Sequence, residues 1–365
     1  ASFSYFYFGD AMRFSKFGIT KFDRGEATPG ATLFSPLRQK ETYLIGMHGE
    51  ILHQWNLDAQ PGNYGYLLSN GNLLVAIKTE DGPSGINAGG GKIQELNWDG
   101  QIIWEYQDDY QHHDFRRCHN GNTIYLGWEL LSEDSAAQVR GGEFGRTHPD
   151  GIWSDYIREV NPKGETVWEW HMWENMDIEK YPNAPMSGRR EWAHANSIMP
   201  LSNGNVMVSW RHNNLIAIIN RKTGKFDFEW FDFELGFQHD FQALENGNYM
   251  VFINQSSGPP GGGSRVLEFD PNTKETVWEY TGNPRYTFYS PFISGAQRLS
   301  SGNTLICEGM WGRIFEVTPQ KNIVWEYISP YFTKKNGEEP IDNNIFRAYR
   351  YDVDGPEIRN RVILL

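Results

Sequence analysis

Ser69-Asn70-Gly71-Asn72, His119-Asn120-Gly121-Asn122, Ser202-Asn203-Gly204-Asn205, Glu245-Asn246-Gly247-Asn248 and the shortened Ser301-Gly302-Asn303 are copies of one turn, each set between strand-like runs. Asn-Gly suits the φ > 0 positions of a two-residue hairpin turn, so each copy predicts a β-hairpin at the same point of a repeated unit. Self-similarity of this kind decides the fold ahead of any local propensity.

Working outward, a second signature lies upstream of most of these turns. It reads Ile103-Trp104-Glu105-Tyr106, Val167-Trp168-Glu169-Trp170, Asp227-Phe228-Glu229-Trp230, Val277-Trp278-Glu279-Tyr280 and Val324-Trp325-Glu326-Tyr327, with Leu52-His53-Gln54-Trp55 as a weaker first copy. The copies recur roughly every 45–65 residues, within reach of known propeller repeats. A short turn such as Asp99-Gly100 or Lys163-Gly164 precedes each run, and another apolar strand precedes that. One unit therefore holds four strands joined by hairpins. No helical periodicity is sustained. The sequence predicts an all-β chain: a six-bladed β-propeller of four-stranded antiparallel blades around a central channel. Residues 42–365 are expected to form it as one domain, with residues 1–41 an N-terminal segment completing the ring closure.

Composition narrows the function. The 365 residues carry a net charge of −13, from 46 acidic against 33 basic side chains, and no basic run tracks along the chain. Nucleic acid is not an expected partner. Apolar stretches fall short of the ~18 residues that cross a bilayer as a helix, so no membrane insertion is expected. Cys118 and Cys307 belong to the second and fifth repeats, too far apart on a six-fold ring for an expected disulfide. The chain opens Ala1-Ser2-Phe3 with no basic or apolar leader region, which fits a removed secretory signal or a trimmed start; a periplasmic or secreted location is the expectation. Most tryptophans occupy the repeated strand position, where packing between blades explains them. Trp173, Trp192, Trp210 and Trp311 fall outside it and remain candidates for ligand contact.

Function is sought where one blade carries what the others lack. Eight residues before the turn glycines stand Asn63, His113, Asn196, His239 and Ser294. That offset begins the strand nearest the axis, so these groups are expected to converge at one channel mouth. Neighbouring positions add His112, His194 and Arg211. A neutral imidazole can attack as a nucleophile, a second can move protons, and an arginine can hold a tetrahedral anion. Converging imidazoles can instead hold a metal ion in the central channel. A histidine or tyrosine base with an arginine that neutralises a uronate could also drive β-elimination on an acidic oligosaccharide. Spacing alone leaves all three open.

His194-Ala195-Asn196-Ser197 followed by Ser209-Trp210-Arg211-His212, with His112-His113-Asp114 upstream and Gln238-His239-Asp240 downstream, resembles the bacterial arylsulfate sulfotransferases, which need no nucleotide sulfate donor. The likeness runs from about residue 42 to 351 and includes the closing pattern Phe346-Arg347-Ala348-Tyr349-Arg350-Tyr351. The resemblance implies a six-bladed propeller with three histidines and an arginine around the mouth, one histidine being transiently sulfated. His239 would be the nucleophile, and His194 and Arg211 would bind the sulfuryl group. The third histidine is His113, which has the better offset, or His112. Substrate contacts are expected from Asn196, Arg190, Trp192, Tyr289 and Arg347. The implied substrates are small aromatic sulfates and phenols, with no cofactor.

Two insertions break the spacing. Residues 129–156 are placed between the second and third repeats, and residues 171–192 end just before His194, which makes them a candidate lid. Residues 286–294 offer Tyr286, Phe288 and Tyr289 as an aromatic wall. Residues 258–263, Gly-Pro-Pro-Gly-Gly-Gly, read as a connection between blades rather than a phosphate loop.

Overall fold

The computed structural model describes residues 13–255, 262–334 and 340–363, and it is a six-bladed β-propeller. Most of the glycine-rich connection at 258–263 lies outside the described residues. Numbered by first strand, blade 1 begins at Pro61–Leu67, blade 2 at Gln111–Arg117, blade 3 at Ala195–Pro200, blade 4 at His239–Ala243, blade 5 at Gly295–Arg298 and blade 6 at Ile345–Asp352. These strands edge their sheets and touch their counterparts in the neighbouring blades, so they line the axis.

Blade 6 joins the two ends of the chain. Ile345–Asp352 pairs with Gly30–Pro36, which continues through Glu41–Ile45 to Ile51–Asn56. Gly18–Phe22 adds a fifth strand to the outer edge of blade 5 by pairing with Ile323–Ile328. The apolar core lies between neighbouring sheets: Ile124, Leu126 and Ile157 of blade 2 pack against Val206, Val208 and Ala217 of blade 3.

The repeated Asn-Gly turn differs in detail from the two-residue form. Gly71 N–H donates to Leu68 and Leu68 N–H to Asn72, and blades 2 to 5 repeat the pattern. This is a three-residue loop in which the glycine alone takes the left-handed conformation, with φ of +80° at Gly71 and +85° at Gly121. The preceding asparagine is spared that conformation because its side chain accepts a backbone N–H two residues on, as Asn70 does from Asn72 at 2.9 Å. Four of these turns also donate to a glutamate on the third strand: Asn72 to Glu95, Asn122 to Glu159, Asn248 to Glu268 and Asn303 to Glu316. An arginine of the next blade then pairs with that glutamate, namely Arg117, Arg221, Arg298 and Arg350.

The repeated aromatic strand is the fourth of each blade, outermost in all but blade 5, and its indoles fasten blades together. Trp104 donates to Pro162, Trp170 to Gly224, Trp278 to Pro319, Trp325 to Met47 and Trp55 to Asn97, each acceptor lying in the following blade at 2.9–3.0 Å. At the remaining junction Phe228 replaces the indole, and Lys274 of blade 4 lies over Phe228 and Trp230.

At the axis the chain leaves regular geometry. Blades 1 to 4 shift register near the start of the first strand, and His113, His194, Asp240 and Ser294 have positive φ. Such bulges re-aim side chains, and non-glycine residues hold this conformation only where the surroundings enforce it. The enforcing group is Arg347. Its guanidinium lies 2.8 Å from Asp114, 3.2 Å from Asp240 and 3.1 Å from the Asn196 carbonyl, joining blades 2, 3, 4 and 6. Burial opposes its charge, but Asp114 and Asp240 outweigh that and raise its pKa. Arg347→Ala would strand two buried carboxylates and is expected to cost about 3–5 kcal/mol in unfolding free energy, measured by chemical denaturation.

Candidate functional site

The first strands start at one mouth of the channel, around a cavity of about 660 Å³ lined by His113, His194, His212, His239 and Arg211. The histidines come from blades 2, 3 and 4. The His113 and His194 rings meet edge to face with centroids 4.4 Å apart, and His194 stacks on His212 at 4.5 Å. Phe346 lies beside both His113 and His239, at 6.3 and 6.2 Å.

The hydrogen bonds assign a tautomer to His239. Asn254 donates its amide hydrogens to the Ser290 and Ile293 carbonyls at 2.8 and 2.9 Å. The amide is thereby oriented, and its oxygen must face His239 Nδ1, 2.7 Å away. Nδ1 therefore carries the proton, and Nε2 keeps its lone pair. Burial, with Arg211 adding to it, holds the His239 pKa well below the ordinary imidazole range, so the ring is neutral.

His194 sits in a different field. Its Nδ1 meets the Glu191 carboxylate at 2.7 Å, and Glu191 also accepts the Trp128 indole at 2.8 Å. Burial pushes the Glu191 carboxyl up, but His194, His112 and Trp128 outweigh it and hold it below its usual value. The carboxylate accepts at Nδ1, so that nitrogen carries a proton and the ring is held in place.

His113 contacts His112 through the two Nδ1 atoms at 2.8 Å. Behind it, His112 Nε2 lies 3.2 Å from Asp155 without the alignment of a hydrogen bond. That charge favours the His112 proton on Nε2, leaving His112 Nδ1 to accept from His113. The His113 lone pair is then on Nε2.

Arg211 is partly buried, lies over the Phe237 ring at 4.5 Å and donates to the Pro291 carbonyl at 3.4 Å. Its Nε has no partner, and it makes no ion pair with a carboxylate among the described residues. Burial brings its pKa down to about 10, so the charge persists at neutral pH. A charged fork without a counter-ion, beside neutral imidazoles, is an anion site in chemical terms. Among the described residues, no group of three or more His, Cys, Asp or Glu is arranged to hold a metal ion.

Of the residues singled out from the sequence, the structure brings His113, His194, His239, Arg211 and Arg190 to the cavity. It places five others elsewhere. His112 is sealed behind His113, stacked on Trp128 at 4.3 Å. Asn196 turns sideways, donating to the Gln238 carbonyl at 2.7 Å. Trp192 is fully buried and donates to Tyr181, Tyr289 holds Glu308 and Trp311 through its backbone, and Arg347 is committed to its carboxylates. Segment 286–294 does reach the cavity, but through Phe292 and Ile293 rather than the aromatics expected of it: Phe288 is buried against Tyr280, and Phe346 completes the apolar lining.

The insertions differ from expectation too. The first lies within blade 2, between Thr123–Leu130 and Trp153–Val160. Its strand Gly141–Thr147 pairs in parallel with Asn183–Arg189 of the second insertion. His148 and Arg190 bind the carbonyls of Ser84 and Gly85, so both insertions grip the blade 1 loop beside the cavity.

Glu191, His212 and Asn254 were missed. Asn254 had a signal. Seven residues after the turn glycines 71, 121, 204, 247 and 302 stand Lys78, Trp128, Arg211, Asn254 and Gly309. The second strand of each blade ends there, at the same mouth where the first begins.

The sequence matches the profile of a family described as Arylsulfotransferase (ASST) over residues 66–330. No curated protein matches it. Among solved structures, a protein of unknown function from Bacteroides caccae superposes with a TM-score of 0.55 at 13% identity, covering 88% of this chain and 98% of its own. A streptogramin B lyase gives 0.47 at 16% identity, covering 88% and 84%, and a catalytically inactive virginiamycin B lyase from Staphylococcus aureus with quinupristin gives 0.45 at 14%, covering 86% and 88%. At these identities the likeness concerns the fold alone.

The buried imidazoles set a pH dependence. Burial, with neighbouring positive charge, lowers the folded-state pKa of His113, His212 and His239 below the unfolded value of about 6.5. Below that pH the unfolded chain takes up protons that the folded chain refuses, so stability falls on acidification. Asp155 and Asp240, raised by burial, and His171, raised by its bond to Glu129, act in the opposite sense, while the lowered pKa of His53 and of Asp114, Glu191 and Glu268 adds to the fall. The urea midpoint is expected to drop between pH 7.5 and 5.5, and His212→Gln to flatten the slope.

Proposed function

The chain belongs to the arylsulfotransferase (ASST) family, and on that premise we propose that it moves a sulfuryl group between phenolic compounds through a sulfo-histidine on His239. The observation that carries this reading is the partly buried Arg211, without a carboxylate partner among the described residues, lining one cavity with the neutral His239. Sulfuryl transfer resembles phosphoryl transfer in its loose, in-line transition state, so the work falls to positioning and to donors aimed at the non-bridging oxygens.

In the first half-reaction the sulfate ester docks its oxygens on Arg211. His239 Nε2 forms a bond to sulfur as the ester S–O bond breaks, and the leaving oxygen takes a proton from His194, whose imidazolium Glu191 supports. Phenol departs. In the second, an acceptor phenol gives its proton to His194 and takes the sulfuryl group as the N–S bond breaks, returning His239 to its starting state. The result is ping-pong chemistry with no net change in the enzyme. His113, neutral and with its lone pair on Nε2, is placed to accept a hydrogen bond from the acceptor phenol.

Incubation with p-nitrophenyl sulfate and an acceptor phenol tests the reading directly: release of p-nitrophenol with formation of the acceptor sulfate supports it. Unsaturated uronate products from acidic glycans, with no sulfuryl transfer, would replace it with the lyase alternative. His239→Ala is expected to abolish transfer in a folded protein. Arg211→Ala is expected to lower kcat about 10²–10³-fold, as loss of a charge-stabilising donor does elsewhere.

Asn254 generates a separate expectation. Asn254→Ala frees the His239 ring and should cost about 10–100-fold, the scale of losing a histidine-orienting partner. Asn254→Asp keeps an acceptor on Nδ1 but adds a negative charge, which raises the His239 pKa. The acid limb of its pH–rate profile should therefore move to higher pH, and an unshifted limb would remove His239 from the chemistry.

A further inference from the structure

We propose that the cavity contains a second anion-binding subsite, formed by Lys78 and Arg190, and that the substrate is an aryl sulfate or phenol bearing another anionic group such as a carboxylate or a second sulfate. The assignment rests on the sulfuryl-transfer reading for the first anion, which Arg211 takes.

The charges around the cavity show an excess that one sulfate ester does not use. Arg38, Lys78, Arg146, Arg190 and Arg211 line it, and the single carboxylate among its lining residues is Glu191, in a chain where acidic side chains outnumber basic ones. Glu191 is committed to His194 and Trp128. Arg38 is paired with Asp342, and Arg146 with Glu143 at 2.9 Å. Two cations on the wall then lack a counter-ion. Arg190 binds only the neutral Gly85 carbonyl, and the Lys78 ammonium makes no hydrogen bond or ion pair among the described residues.

Lys78 is more than a surface lysine by its place in the repeat. It stands seven residues after its turn glycine, the position that carries Arg211 in blade 3 and Asn254 in blade 4. It ends the second strand of blade 1, Leu73–Lys78, and the loop that follows contributes Gly85, Ile86 and Asn87 to the cavity wall. Arg190 binds that same loop at the Gly85 carbonyl, so the two cations are tied to one stretch of wall. Both are exposed whereas Arg211 is partly buried, which separates a shallower anion position from a deeper one. A cavity of about 660 Å³ is of the size that encloses drug-sized ligands, with room beyond a transferring group at its floor.

Two aryl sulfonates, which have no transferable ester bond, test the subsite without turnover. Calorimetry of the full chain at low salt is expected to show benzene-1,3-disulfonate binding about tenfold more tightly than benzenesulfonate, the scale of two partly solvated ion pairs. In Lys78→Gln/Arg190→Gln the gap should shrink below twofold. Equal affinity of the two ligands for the native chain, or a gap preserved in the double variant, overturns the proposal. Kinetics with p-nitrophenyl sulfate and 4-carboxyphenyl sulfate separates the two readings. Turnover of both esters at equal KM, with no disulfonate preference, leaves sulfuryl transfer standing and removes the second subsite. A disulfonate preference with neither ester turned over does the reverse.

Discussion

The Arg347 guanidinium at the propeller axis is the contact on which the site depends. It lies between Asp114 and Asp240, and these are the residues that follow His113 and His239 in sequence. One cation therefore holds the backbone beside two of the candidate catalytic rings, from blades that sit on either side of the third. Arg347 belongs to the C-terminal strand that closes the ring with Gly30–Pro36. Closure of the propeller and assembly of the mouth are in this way the same event. Buried ion pairs add little to stability over an apolar core, but removing one partner is costly, so such a cluster admits one arrangement and disfavours others.

The same buried environment gives each polar group its role. His239 and His113 are kept neutral because burial and neighbouring positive charge oppose protonation. His194, with Glu191 against its Nδ1, has the one carboxylate of the cavity lining as its partner. Arg211 stays charged without a carboxylate, so its attraction is left for a ligand. Three imidazoles and a guanidinium are thereby given different partners by their neighbours alone, and the proposed roles of nucleophile, acid–base and anion binder rest on that difference.

The long-range order of the ring was written locally. Asn-Gly turns and Trp-Glu-aromatic strands repeat because each blade needs the same hairpin and the same indole bond to its neighbour, as Trp104 makes to Pro162. The first-strand offset pointed correctly to His113 and His239, since a repeat places equivalent positions at one mouth. It pointed to Asn196 rather than His194 in blade 3, where the side chain at that offset is spent on the Gln238 carbonyl of blade 4 and the ring two residues earlier lines the cavity. Asn254 and Lys78 were legible at the matching offset of the second strand. Glu191 carried no such mark, since it lies in an insertion outside the repeat.

The sequence alone determined the number of blades, the all-β class, the family likeness and three of the converging histidines with their arginine, because a repeated fold converts periodicity into position. Tertiary structure decided which atoms meet. Only the closed ring shows that Arg347 is spent on Asp114 and Asp240, that Trp192 and His112 stand behind the site, and that Asn254 orients His239. Those outcomes depend on directional bonds between residues of different blades, and direction in space is information that spacing along a chain does not carry.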